Sequence, residues 1–169
     1  LAPNDLLQEY RSGEKSFSTE LPGIRNPDVR SGESLRILRE IQHLHDDFIK
    51  QEIDDAPAKL DSLARNVRFL TTSDTSAFAL CVAKYYALVK GTFHLEWAQA
   101  DNGVNGKNRK EHLQAARDEL TPGTTNLDQC EAHLNIEESE FYFKHGTTHL
   151  LLGEPTEAQT VFGKLERGS

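Results

Sequence analysis

The sequence predicts an all-α protein. Apolar residues recur at three- and four-residue steps through most of the chain after residue 33, and no segment of useful length alternates with period two. Helix-opening and helix-closing residues fall between the apolar stripes. Residues 1–32 are the exception: they are polar, broken by Pro3, Pro22, Pro27, Gly13, Gly23 and Gly32, and read as an irregular arm with one short turn near Asp5–Tyr10. The domain proper is expected over 33–169.

The first helix is expected over about 33–54, on Ile37, Ile41, Leu44 and Phe48, with Leu38 and Ile49 widening the stripe. Pro57 suits the first turn of a second helix, where its missing N–H costs nothing, and Leu60, Leu63, Ala64, Val67 and Leu70 form the buried face. Thr71-Thr72-Ser73-Asp74-Thr75 is a cluster of N-capping residue types ahead of a third helix over 77–100. Phe78, Leu80, Val82, Tyr85, Leu88, Val89, Phe93, Leu95 and Trp97 surround that helix, so it reads as central and buried. Asn102-Gly103 and Asn105-Gly106 supply two turns. A fourth helix follows over about 108–120 on Leu113, Ala116 and Leu120, with Thr121-Pro122-Gly123 as its stop. The fifth is expected from about Asn126 to Leu152, and Gly153 and Pro155 separate it from a sixth that runs to about 166. The third and fifth helices, at about 27 residues and 1.5 Å rise each, would reach about 40 Å. Short connections make antiparallel neighbours, so three αα-hairpins are expected.

The last hairpin contains Tyr142-x-x-His145-Gly146-x-x-His149, then Gly153, then Ala158-x-x-x-Phe162. This resembles the tetratricopeptide repeat, in which an aromatic, a Leu-Gly pair and a Tyr are followed by Ala and an aromatic four later. Gly146 and Ala158 are small where two helices would cross closely, and Tyr142 and Phe162 fill the space beside the crossing. Histidines stand at 145 and 149 where the family usually has Leu and Tyr. A fainter upstream copy runs through Ala87-x-x-Lys90-Gly91-x-x-His94 and Ala116-x-x-x-Leu120. The two glycines, 91 and 146, are much further apart than the repeat period of about 34 residues. The resemblance is thus to a degenerate member of the tetratricopeptide-like superfamily and implies a right-handed superhelix; a closed helical bundle is the alternative.

The resemblance further implies a concave groove lined by the first helix of each repeat. Its side chains would be Glu140, Phe143, Lys144, Thr147, Leu150 and Leu151 on the fifth helix, and Tyr85, Leu88, Thr92, Leu95 and Glu96 on the third. Modules of this family bind peptides or helices of other proteins there, and the mixed aromatic, aliphatic and charged set suits an amphipathic peptide. The competing reading makes Phe143, Leu88 and Leu95 ordinary core residues.

Composition limits the alternatives. Of 169 residues 37% are apolar, and 27 acidic against 19 basic residues give a formal charge of −8. No run reaches the roughly 18 apolar residues of a membrane-spanning helix. The acidic balance argues against nucleic acid as a partner, since phosphate contacts need clustered cations. The compact basic group Lys107, Arg109 and Lys110 reads as a solvated helix face, and Asp46, Asp47, Glu52, Asp54 and Asp55 as an exposed acidic patch lacking the spacing of a calcium loop. The chain opens on Leu1-Ala2-Pro3 and contains no Met, which suggests a removed leader or a segment of something longer; with no glycosylation sequon, a cytoplasmic location is expected.

Catalytic signals are sparse. There is no nucleophile elbow and no phosphate-cradling Gly-rich loop. His145 and His149 share a helix face at the spacing of a metal pair, with Glu138 on a similar face, but no glutamate follows His145 as in zincins. Glu40-x-x-His43 has di-iron spacing without a second copy. Packing at the helix crossing therefore explains His145 and His149 better than a metal, and no cofactor is expected. Cys81 and Cys130 lie in apolar runs and are expected as free thiols. The expected function is a non-enzymatic protein–protein interaction scaffold. The alternatives are a structural subunit of a larger complex and a helical metal-dependent enzyme using His145 and His149.

Overall fold

The computed structural model describes residues 32–51, 55–101 and 103–168. The arm and its turn near 5–10 lie outside the described residues. Among the described residues six α-helices follow one another: α1 (Gly32–Ile49), α2 (Ala56–Ser73), α3 (Ala77–Gln99), α4 (Arg109–Thr124), α5 (Glu138–Leu151) and α6 (Pro155–Gly168), with a 3-10 turn at Leu127–Cys130. Among the described residues there is no strand, only an isolated bridge between Val104 and Lys107. The all-α expectation holds.

Two compact units are formed. The first comprises the described residues up to Tyr86 together with Asp128–Ile136. Its core is the α1 stripe of Ile37, Leu38, Ile41 and Leu44 against Leu60, Leu63, Val67 and Leu70 of α2, all buried. The start of α3 adds Phe78, Ala79, Val82 and Tyr86, whose hydroxyl donates to the Leu60 carbonyl at 2.6 Å. α1 is shorter than its periodicity suggests. Gln51 takes a left-handed conformation (φ 58°), which breaks the helical ladder just beyond Ile49.

The capping cluster before α3 divides in two. Thr71, Thr72 and Ser73 bond back to carbonyls three and four residues earlier and so extend α2 to Ser73. Ser76 opens α3: its Oγ accepts from the Ala79 N–H at 3.2 Å, and its own N–H goes to Asp74 Oδ1 at 2.9 Å.

The second unit comprises Ala87–Leu127 with the described residues from Glu137 onward. Val104, Asn105, Gly106 and Lys107 make the turn that leads to α4: Asn105 and Gly106 both have positive φ (53° and 80°), and the Lys107 N–H donates to the Val104 carbonyl at 3.1 Å. Asn108 then closes a reciprocal capping box with Glu111.

Two expected boundaries are corrected. Thr121-Pro122-Gly123 does not end α4, which runs through Pro122 to Thr124. Gly123 is buried there because a Cβ would stand 2.9 Å from Leu88 Cδ2, so close approach and not a chain reversal explains the glycine. The expected 27-residue fifth helix is also three pieces: the 3-10 turn, an irregular stretch carrying buried Leu134, and the 14-residue α5. Asn126, at φ 55°, interrupts the pattern directly after α4. α3 itself has 23 residues.

One arrangement occurs twice in this unit. Gly91 faces Leu120 so closely that a Cβ would stand 2.6 Å from Leu120 Cγ, with the Ala116 carbonyl at 3.4 Å. Gly146 faces Phe162 in the same way, with buried Ala158 one turn earlier on α6. Three residues after each glycine comes a histidine, His94 or His149. Each contacts the residue four before the corresponding alanine: His94 meets His112, and His149 meets Glu154. The two crossings thus share a close glycine approach to a large side chain and a histidine at the same offset.

Candidate functional site

α5 is a two-faced helix. Its inner face carries Phe141, His145, Gly146, Thr148 and His149, all buried by α4 and α6. Its outer face carries Phe143, Leu150 and Leu151, which remain 57%, 54% and 37% exposed. The α-helical period puts 143, 147 and 150 on one side, so Thr147 joins the two large side chains into a stripe. Lys144 and Glu140 flank it and pair with each other at 2.7 Å. The Phe143 ring leans on Phe162 of α6, with centroids 6.1 Å apart. The result is an apolar strip beside a fixed charge pair.

All six residues expected on the fifth helix are thus on or beside one accessible strip. The third-helix residues are not. Tyr85, Leu88, Thr92 and Leu95 are buried, and only Glu96 is exposed. Tyr85 donates to the Gln42 side chain on α1, Leu88 packs against Gly123, and Thr92 returns its hydroxyl to the Leu88 carbonyl at 2.9 Å. A helix covered on nearly every side has no face left for a groove, and these four are corrected to core.

Behind the strip lies a continuous polar chain. Arg117 of α4 donates to Glu154 at 2.9 Å; Glu154 meets His149 Nδ1 at 2.8 Å; His149 Nε2 meets His145 Nε2 at 3.1 Å; and His145 Nδ1 meets the Thr124 hydroxyl at 3.0 Å. With both imidazoles neutral one proton order satisfies it: His149 Nδ1–H to the Glu154 carboxylate, His145 Nε2–H to His149, and the Thr124 hydroxyl to His145 Nδ1. Burial, reinforced by His149 and Lys164, pushes the His145 imidazole down to about 4, and it stays uncharged at neutral pH. The hydrogen bond to His149, helped by Arg117, holds the Glu154 carboxyl below the usual carboxylate range.

Comparisons of the chain with protein-family models, with curated proteins and with solved structures find no match.

The histidine chain joins α4, α5 and the α5–α6 turn, and each ring nitrogen of His145 and His149 lies against a protein partner. Among the described residues no group of three or more His, Cys, Asp or Glu is arranged to hold a metal ion. Glu138, placed on a similar face by spacing, is not part of the chain of hydrogen bonds just described.

Elsewhere, α1 and α2 border an open cleft of about 470 Å³. Arg36 projects there with its charge matched by Glu33 and Glu40 at 2.6 Å each, and Asp47 and Lys59 line it further along. Glu40 and His43 share this wall, so the di-iron spacing noted in the sequence belongs to a charged surface cleft. Arg109 and Lys110 are exposed, as a solvated helix face requires.

The cysteines are a correction. Cys81, in the first half of α3, and Cys130, closing the 3-10 turn, are joined in a disulfide, with Cα atoms 5.7 Å apart. Both are buried. The two apolar runs are distant in sequence; what brings them together is the return of 128–136 to the first unit, which spacing does not show. Glu154 and Arg117 also escape the sequence reading, because one sits in the α5–α6 turn and the other among the polar residues of α4, neither on an apolar stripe.

Proposed function

We propose that this protein is a non-enzymatic interaction scaffold that holds a peptide or helix of a partner protein against the outer strip of α5. The observation that carries the reading is the strip itself: Phe143 and Leu150 stand more than half exposed on a helix whose other face is tightly packed. Large apolar side chains gathered on a polar surface mark interaction sites. The expected occupant is amphipathic. An apolar side would cover Phe143, Thr147 and Leu150, and polar groups would meet Lys144 and Glu140.

The duplicated crossing of Gly91 with Leu120 and Gly146 with Phe162 supports the resemblance to tetratricopeptide-like repeats, whose function is of this kind. It does so with one accessible helix instead of a two-sided groove. A formal charge of −8 disfavours nucleic acid, and no helix among the described residues is long and apolar enough to cross a membrane. The reading requires neither cofactor nor metal. The buried disulfide supports an oxidising compartment over the cytoplasmic location suggested by the missing sequon, because structural disulfides form and persist where thiols are not kept reduced.

The test is partner capture from the native source, comparing wild type with Phe143→Ala/Leu150→Asp, followed by titration of the captured partner. A loss of affinity of tenfold or more with unchanged far-UV circular dichroism is expected. Equal affinity for the folded double variant would overturn the strip.

A further inference from the structure

The second histidine pair, His94 and His112, lies outside the α5 strip. We propose that it is an acid-sensitive clasp: with both imidazoles neutral it ties the turn before α4 to the α3–α4 hairpin, and one added proton releases that turn.

The proton order is fixed by the partners. The Val104 N–H donates to His112 Nε2 at 3.2 Å, so that nitrogen carries a lone pair and the His112 proton sits on Nδ1. His112 Nδ1 lies 3.0 Å from His94 Nδ1, which must therefore accept, leaving the His94 proton on Nε2. No site remains on the shared edge for another proton. A proton on His94 Nδ1 sets N–H against N–H across 3.0 Å, and one on His112 Nε2 displaces the Val104 amide. In the His145 chain, by contrast, the Thr124 hydroxyl can turn to receive an added proton and give its own to the Leu120 carbonyl.

The surroundings make that proton costly. His112 is fully buried and His94 nearly so. The facing charged groups are Lys90 on α3, itself paired with Glu119 of α4 at 3.3 Å, Lys107 in the turn, and Glu111 on α4. Burial first, then His112, Lys90 and Lys107, push His94 down to about 4. Burial and Lys107 lower His112, while Glu111 opposes them. Below that range the pair charges and the anchor of Val104 is lost. Trp97 reports on the event from inside, since its ring lies 5.4 Å from that of His94 and 5.5 Å from that of His112, and it is the single tryptophan of the chain.

The experiment is a titration of the full chain from pH 7.5 to 3.5, following the Val104 amide resonance, Trp97 fluorescence and far-UV circular dichroism. The Val104 resonance and the Trp97 signal should move together with a midpoint near 4, while helicity holds through the first half of the transition. His94→Gln, whose amide oxygen accepts from His112 without titrating, leaves only His112 to take the proton and should move the midpoint below that of the wild type. Lys107→Glu keeps both imidazoles and should raise the midpoint by about half a unit or more. The clasp is overturned by a Val104 resonance that does not move, by a midpoint at the ordinary 6.5, or by movement only when helicity collapses. An unlowered midpoint in folded His94→Gln, or an unraised midpoint in Lys107→Glu, also overturns it.

Discussion

The ring of Phe162 stands where a side chain on residue 146 would begin: a Cβ built on Gly146 would collide with Phe162 Cε1. Nothing can be added to residue 146 without moving an aromatic ring or parting α5 from α6. Gly146→Ala is expected to lower stability by about 1–3 kcal/mol in urea unfolding, as overpacking of a close crossing does. Gly163 on the neighbouring turn of α6 is the control. A Cβ there meets nothing within 4 Å, so Gly163→Ala should gain about 0.5–1 kcal/mol from helix propensity alone. Equal effects at the two glycines would contradict the crossing.

Opening the Cys81–Cys130 link should be costly. With the cysteines at a sequence separation of 49, loop-closure entropy assigns the link about 4 kcal/mol. The Cys81→Ala/Cys130→Ala protein is expected to melt well below the oxidised wild type. Reduced wild type should fall to the same temperature. A reductant-insensitive melting curve would argue against the bond.

The buried Tyr86 hydroxyl gives a smaller, cleaner effect. Its bond to the Leu60 carbonyl spans α3 and α2, at a carbonyl that lies within the helical ladder of α2. Tyr86→Phe should cost about 0.5–1.5 kcal/mol, the net worth of one buried hydrogen bond whose acceptor keeps its helical partner. Denaturant midpoints at constant m-value measure it, and an unchanged midpoint would show that the bond contributes nothing.

Stability should fall in acid through His145. Its imidazole titrates near 6.5 when the chain is unfolded and at about 4 in the fold, so between these values the unfolded state binds more protons. The contribution is complete above about 6.5 and is lost as the pH drops toward 4. Between pH 7 and 4.5 the loss should be on the order of 2 kcal/mol. His145→Gln should flatten that slope in urea titrations at several pH values. An unchanged slope would assign the acid response to other groups.

Much of the fold is legible in the sequence because its helices are built on regular apolar stripes. Ile37, Ile41 and Leu44, or Leu60, Leu63 and Val67, have no other way to hide together. Legibility fails where a residue has two physical uses. Gly123 reads as a stop and serves as a close-packing site, and Thr71 to Ser73 read as caps but bond back into α2. The stretch 127–136 is apolar enough to pass for helix, yet its Leu127, Cys130 and Leu134 are buried from a 3-10 turn and irregular backbone. The outer strip of α5 was readable because position along a single helix defines it. The third-helix groove was not, since apolar residues all round a helix leave its exposure to tertiary packing.

The disulfide also changes what a single cut in the backbone can do. Residues 81–130 form a closed covalent ring, and exposed Asn105 and Gly106 lie midway round it in sequence. A protease that nicks the chain there leaves two polypeptides that migrate as one until a reductant is added. Damage at this exposed turn is therefore silent under oxidising conditions, and the two pieces separate only when the sulfur bridge is opened.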